Sequence, residues 1–388
     1  MEVLEAIQKR RTVRIPFNER KVSKKDVDAL LEISKLSPNE GPIDWELIIV
    51  EDYTTKSKLA EIVKEDFGDS FQKDSQKFRK VFSKYPRWLR FSEAKDGIVL
   101  VGVPRIFRYI YGFVLSKKFG PLFGKIGIMN SELEAYCKNI MSNPLLFGVF
   151  LNRHAKAGST GIAPIVNTGS MLQNLRLTAT SLGLCYQDLG WITATKESSE
   201  KARQLLEMSE DYVAINFFRI GYADSLDRQP KKSDFRRDLK DIVHLSKFGN
   251  KDFEIAQMKK TDIEVLDAVR GRKAERAFKP ISEEEVGYIL EAVRWAPTGF
   301  NVQPFEFVVI EKERATTIVV LEDKERRDPD PGTCEVLARG GILQNIRLAT
   351  RALGLDLEVK KPAMPEKENV RETFSIPQNY SVVALIKV

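Results

Sequence analysis

The chain has 388 residues, 43% hydrophobic and 30% charged, which is enough apolar content to bury two ordinary cores. Two histidines exclude a histidine-rich metal site, and three cysteines (Cys137, Cys185, Cys334) at scattered spacing suggest neither a disulfide framework nor a metal knuckle. The net charge of +7 is unevenly placed: residues 71–130 hold thirteen Lys/Arg against three Asp/Glu, which leaves the remainder at −3.

In chain order, residues 2–9 predict a helix with Val3, Leu4 and Ile7 on one face. Charged residues run from Glu2 through Arg14 where a secretory leader would be apolar, so a cytoplasmic protein is expected. Arg10-Arg11-Thr12-Val13-Arg14 follows the helix. Guanidinium groups with a hydroxyl between them suit a doubly charged phosphate, through forked charge-assisted bonds and one neutral donor. Ser23 is placed to cap a helix carrying Val27, Leu30 and Leu31, with Asp26 as a weak capping box. A Pro-containing turn, Ser37-Pro38-Asn39-Glu40-Gly41-Pro42, leads to a strand at Glu46–Val50.

The basic segment 71–130 also carries twelve aromatics and has no counterpart later in the chain, so it is an insertion. Four readings stay open for it. It suits a lid over a planar or anionic small molecule, through stacking and cation–π contacts. Its aromatics also suit packing on the domain with the charges facing water. Single-stranded nucleic acid, and peripheral contact of 106–128 with an anionic membrane surface, are the weaker alternatives. It does not span a bilayer, because Arg105, Arg108, Lys117 and Lys118 interrupt every apolar run.

Beyond it, Leu145–Leu151 predicts a strand and Thr168–Ser181 a long helix, stopped by Leu182-Gly183-Leu184 with Gly183 suited to a left-handed C-cap. A loop Cys185-Tyr186-Gln187-Asp188-Leu189-Gly190-Trp191, a strand Tyr212–Ile220 and a basic tail Lys231–Asn250 with Arg236-Arg237 complete this part.

The same order then returns. Glu2–Ile7 and Arg10 recur as Glu264–Val269 and Arg272, and Val22–Pro38 as Ile281–Pro297, where Ser282 and Glu285 make a full capping box before Val286, Ile289 and Leu290. Trp45–Val50 recurs as Phe305–Ile310, with a strand expected at Glu306–Ile310, and Leu145–Leu151 has Thr317–Leu321 as its candidate counterpart. Leu172-Gln173-Asn174-Leu175-Arg176-Leu177 recurs as Leu343-Gln344-Asn345-Ile346-Arg347-Leu348 in a helix at Gly340–Ala352, and the last strand as Tyr380–Val388. This reads as a tandem duplication with a period far too long for a solenoid, copy one at 1–255 and a shorter copy two at 256–388. A duplicate of this kind mimics a two-fold dimer, so a site between subunits becomes a site between halves.

These blocks resemble the nitroreductase-like family of FMN-dependent oxidoreductases over most of both copies outside the insertion. The resemblance implies an α+β fold, a sheet flanked by helices, here duplicated in one chain as a pseudo-two-fold dimer with FMN between the halves. It implies that Arg10, Arg11, Thr12 and Arg14, with Arg236 and Arg237 returning from the tail, hold the phosphate. It implies that Asp188, Leu189 and Gly190 lie against the ring, the Gly190 backbone being the candidate donor to flavin N5. It gives the partner loop as Pro297-Thr298-Gly299-Phe300-Asn301-Val302-Gln303-Pro304, with Pro297, Thr298, Gly299, Asn301 and Gln303 facing the ring. No metal is implied, and no side chain is required as a nucleophile.

The copies are damaged in complementary places. Copy one has lost the Asn and Gln-Pro of the partner loop. Copy two reads Arg272-Lys273-Ala274-Glu275-Arg276, without the hydroxyl and with a carboxylate that repels phosphate, and has no Gly in Asp356–Pro362. All the intact parts belong to one interface, so one FMN site per chain is expected. The implied reaction is ping-pong electron transfer from NAD(P)H, as co-substrate, to an electron-poor small molecule. Reductive dehalogenation and flavin fragmentation are further activities of such sites, and a non-catalytic flavin- or ligand-binding protein is the alternative.

Overall fold

A computed structural model describes residues 1–38, 43–66, 130–142, 144–154, 162–226, 236–252, 258–271, 278, 280–299, 303–312, 315–326 and 333–388. The expectations for the insertion up to residue 129, for Arg272–Arg276 and for Asn301 lie outside the described residues.

The chain is α+β. Its first sheet contains β1 (Trp45–Val50), β2 (Leu145–Asn152), β3 (Cys185–Asp188) and β4 (Tyr212–Gly221), in the antiparallel order β1-β2-β4-β3. The second contains β5 (Val243–Leu245), β6 (Phe305–Lys312), β7 (Ala315–Asp323), β8 (Glu358–Lys360) and β9 (Tyr380–Lys387), in the order β5-β6-β7-β9-β8. Without β5, the second order repeats the first. The irregularities agree too: register shifts fall between Val149 and Phe150 on β2 and between Val320 and Leu321 on β7.

The helices in chain order are α1 (Val3–Lys9), α2 (Lys24–Lys35), α3 (Asn130–Met141), α4 (Ala163–Ser181), α5 (Lys196–Leu205), α6 (Leu239–Ile242), α7 (Val265–Arg270), α8 (Glu283–Arg294), α9 (Thr333–Ala352) and α10 (Met364–Thr373). Residues 53–66 are also helical. The caps are those the sequence calls for. The Ser23 hydroxyl accepts the Asp26 N–H, and Ser282 with Glu285 closes a capping box. Gly183 and Gly354 end α4 and α9 with φ of +71° and +69°, a conformation costly for any residue with a Cβ.

Helices α4 and α9 begin earlier than expected, at Ala163 and Thr333. Their N-terminal halves hold Asn167-Thr168-Gly169 and Gly340-Gly341, poor helix formers that hide the pattern. Tertiary packing supplies the reason for the glycines. A Cβ on Gly169 would run into the Leu337 carbonyl, and one on Gly340 into the Val166 carbonyl, so the two helices cross backbone to backbone.

The contacts across this crossing are reciprocal. Gln173 Nε2 donates to Asn345 Oδ1 at 2.8 Å, and Gln344 Nε2 to Asn174 Oδ1 at 2.8 Å. At the chain start, Val3 N–H donates to Ile263 O at 3.2 Å and Val265 N–H to Met1 O at 3.1 Å. Residue i meeting j while j's counterpart meets i's is the signature of an isologous interface. The largest core spans this interface, uniting Val3, Ile7, Ile33, Val166 and Leu177 with Val265, Val286, Ile289, Ile342 and Ile346.

One element departs from the division at residue 255. Strand β5, in the tail of copy one, pairs in parallel with β6 of the second sheet. The tail therefore crosses the interface and embraces the other half.

Candidate functional site

The N-terminal arm lies along the edge of the first sheet. Val13 N–H donates to Tyr186 O at 2.9 Å, and Thr12 bridges Tyr186 in parallel. Arg219, wholly buried on β4, clamps this arm. Its Nε donates to Gln187 Oε1 at 2.8 Å, and its Nη atoms donate to the carbonyls of Asn139 at 3.2 Å, Val13 at 3.3 Å and Ile15 at 2.6 Å. The guanidinium carbon stands 3.8 Å over the Phe17 ring. Burial pushes Arg219 down to about 9.

The arm thereby presents Arg10, which ends α1 and is buried. Burial first, then repulsion from the Arg176 and Arg236 guanidinium groups, pushes Arg10 down to about 9, while Asp188 opposes the shift. The cluster thus sets three guanidinium groups against one carboxylate. Asp188 is held by three residues. Its oxygens accept from Arg176 Nη2 at 2.9 and 3.1 Å, and Oδ1 also accepts from the Tyr186 hydroxyl at 2.9 Å and Asn216 Nδ2 at 3.1 Å. Burial acts to raise the Asp188 carboxyl, but the Arg176 charge and these hydrogen bonds hold it below the usual carboxylate range. Arg11 and Thr12 are half-buried beside Arg10, and Arg14 is exposed.

Gly190 opens a short 3₁₀ turn, Gly190–Thr193, immediately after Asp188-Leu189. Leu189 N–H is fixed by Phe217 O at 2.7 Å, and Trp191 N–H donates to the Tyr136 hydroxyl at 2.9 Å. Above Gly190 a Cβ would meet nothing within 4 Å among the described residues, and the same holds at Gly299.

From the other half, α8 ends at Trp295 and runs into Ala296-Pro297-Thr298-Gly299. Thr298 Oγ1 accepts the Gln303 N–H at 3.1 Å, closing the loop, and Gln303 takes a φ of +48°. The tail is pinned to this loop. Arg237 N–H donates to Gln303 Oε1 at 2.9 Å, its Nη1 to Gln303 O at 3.3 Å, and its Nη2 to Glu306 Oε1 at 2.7 Å. Arg236 lies with its guanidinium carbon 4.6 Å over Trp295. The tail's two arginines therefore divide: Arg236 acts on Arg10, whereas Arg237 ties the tail to the partner loop.

An FMN phosphate is a dianion, and the residues present fit one. The Nε atoms of Arg10 and Arg176 are buried with no hydrogen-bond partner among the described residues. Buried like charges without a full set of counter-charges are costly until an anion joins them. Gln173 Oε1 is a further buried, unpartnered atom, 3.9 Å from the Cβ position of Gly341, which stands equally close to Pro297. Of the residues expected from sequence, the structure brings Arg10, Thr12, Asp188 and Arg236 to one cluster. It places Pro297, Thr298 and Gln303 on the loop that the tail joins to it.

Sequence reasoning gave no role to Arg176, Tyr186, Asn216, Arg219 or Trp295. Two of them, Tyr186 and Asn216, differ from their counterparts once the strands are paired. Arg176 has Arg347 as its counterpart, but in the matching strand registers Tyr186, Asp188 and Asn216 become Leu357, Val359 and Ala384. Arg347 instead reaches toward Ser170 Oγ at 3.5 Å. The Arg219–Phe17 contact does persist, as Lys387 over Phe278 at 4.1 Å. So the cation–ring contact is common to both halves, and the carboxylate network belongs to the first alone.

Among the described residues, no helix is long and apolar enough to cross a membrane. A sequence model of the Nitroreductase family matches residues 7–222 and 269–318, more than half of the chain. No curated protein matches. Among solved structures, the chain is similar to an FMN and NADPH-dependent nitroreductase from Sphigopyxis sp. strain HMH, with 18% identity, 58% of this chain and 89% of that one covered, and a TM-score of 0.38. It is also similar to a nitroreductase family protein from Clostridium novyi NT, with 13% identity, 64% and 96% covered, and a TM-score of 0.35. Nitroreductase A from Vibrio parahaemolyticus RIMD 2210633 gives 13% identity, 58% and 69% covered, and a TM-score of 0.35.

Proposed function

The chain belongs to the nitroreductase family, and on that premise we propose that it is a cytoplasmic FMN-dependent oxidoreductase, working by ping-pong transfer from NAD(P)H to an electron-poor small molecule. The observation that carries the reading is the buried Arg10–Arg176–Arg236 cluster with the single carboxylate Asp188, in which the Nε atoms of Arg10 and Arg176 have no hydrogen-bond partner among the described residues. In this reading Arg10 and Arg236 hold the FMN phosphate with Arg11, Thr12 and Arg14, and Arg237 secures the tail that carries Arg236. Gly190 offers its N–H at the ring edge, and Pro297, Thr298, Gly299, Asn301 and Gln303 cover the ring from the other half. Bound FMN would supply the two-electron chemistry at N5. Thr298 and Arg237 fix Gln303 to the start of the loop and to the tail, which lowers the ordering cost of binding. The two halves derive from a tandem duplication in which one site has been kept.

The test is anaerobic addition of NADH or NADPH to the FMN-loaded chain, followed by a nitroaromatic or quinone as probe acceptor. The expected result is bleaching of the flavin band by the nicotinamide and its return on adding acceptor, with parallel double-reciprocal lines in steady state. Flavin that binds but is never bleached would instead indicate a binding protein without turnover.

A further inference from the structure

Asp188 is the last residue of β3 and precedes the Leu189-Gly190 turn. It is a half-buried carboxylate, its side chain 33% exposed, whose charge reaches beyond its own partner. It acts on Arg10, on Arg14, and on Tyr136, whose hydroxyl supports the turn by accepting the Trp191 N–H. Hydrogen bonds from Arg176, Tyr186 and Asn216 fix it, so its charge cannot turn away. All three of those partners are buried, so water screens the charge only in part and less than at the open surface.

We propose that Asp188 is a positioning residue that sets the reduction potential of the bound flavin, with Arg176 as its counterweight. The proposal rests on the FMN reading above. Reduction adds negative charge to the flavin, and a fixed carboxylate at the start of the ring-facing turn opposes that charge. Arg176, bonded to both oxygens of Asp188, offsets part of the field and leaves a local dipole rather than a bare anion. The second half shows what the network is for. It keeps the arginine, as Arg347, and replaces the carboxylate and both of its other donors by Val359, Leu357 and Ala384. A scaffold role for the network would have been needed equally in both halves.

The experiment measures the midpoint potential of FMN bound to the full chain, in wild type, Asp188→Asn and Arg176→Gln. Asp188→Asn removes the anion and leaves the cation, so its potential shifts positive. Arg176→Gln, read at a pH that keeps Asp188 ionised, shifts it negative. A scaffold role moves both variants in the same direction, through loosened flavin binding. Opposite shifts of the stated sign support the proposal, and either variant alone reports the sign should the other fail to fold. No shift, or shifts of the same sign, overturn it while leaving the FMN reading intact. A wild-type chain that takes up no flavin overturns both.

Discussion

Arg10 shows how the site trades stability for binding. Its charge is buried between Arg176 and Arg236, and the resulting repulsion is part of what pushes it down to about 9. Arg10→Met should therefore leave the flavin-free chain as stable as wild type, or more so, in thermal melts. The same change should weaken FMN binding by roughly ten- to a hundred-fold, the loss expected for a charge-assisted hydrogen bond of about 1.5–3 kcal/mol. Fluorescence titration with FMN checks the second half of that statement. At this scale the motif was legible in part. Arg10 and Thr12 stand in a spacing that suits phosphate, and the structure gathers Arg10 with Arg236. Arg176 was not legible as a site residue, because it sits in a block that both copies share and so reads as scaffold. Asn216 and Tyr186 were not legible either, since only the pairing of β3 with β4 brings them to one carboxylate.

Among the elements, those with a strong local pattern were read correctly to within a residue or two: β1, β2, β4, β6, β7 and β9 alternate or run apolar, and α1, α2 and α8 carry caps. Strand β5 could not be read from Val243-His244-Leu245, because three residues have no period and their partner lies some sixty residues away. What holds β5 in place is a buried ionic knot. Glu306 accepts from Arg237 Nη2 at 2.7 Å and pairs with His244 Nε2 at 2.9 Å. His244 Nδ1 accepts the Gly249 N–H at 2.9 Å, which leaves the ring proton on Nε2 to donate to Glu306. Burial acts to raise the Glu306 carboxyl, but His244 and Arg237 outweigh it and hold it down to about 2. A depressed carboxylate stabilises the fold fully above its unfolded value, near 4.5, and loses that contribution as pH falls toward 2. The stability of the wild type should therefore decline over this window, and Glu306→Gln should flatten that limb. At neutral pH the same variant should lose about 3–5 kcal/mol, the cost of stranding a buried partner. Urea melts between pH 2 and 7 measure both effects, and equal slopes in the two proteins would show that the knot contributes nothing.

For the whole molecule, the main consequence is broken symmetry on a symmetric frame. The frame is reciprocal in its glycine crossing, its Gln–Asn pairs, its N-terminal bridges and its cation–ring contacts. The chemistry is not: the carboxylate network belongs to the first half, and among the described residues the tail that carries Arg236 is the one that crosses to the other sheet. The repeat was legible in sequence because core blocks such as Leu-Gln-Asn keep their residues wherever helices must interlock. The crossing of the tail was not, since it is a property of the assembled pair of halves. On the proposed reading the chain holds one FMN, between its halves, on the side of Arg10 and Asp188. The direct test is to saturate the purified chain with FMN, remove the excess, denature it and quantify flavin per chain. The expected result is one FMN per chain in wild type and almost none in a variant carrying Arg10→Met and Arg236→Met. Two per chain would contradict the single-site account, and none would contradict the flavin reading itself.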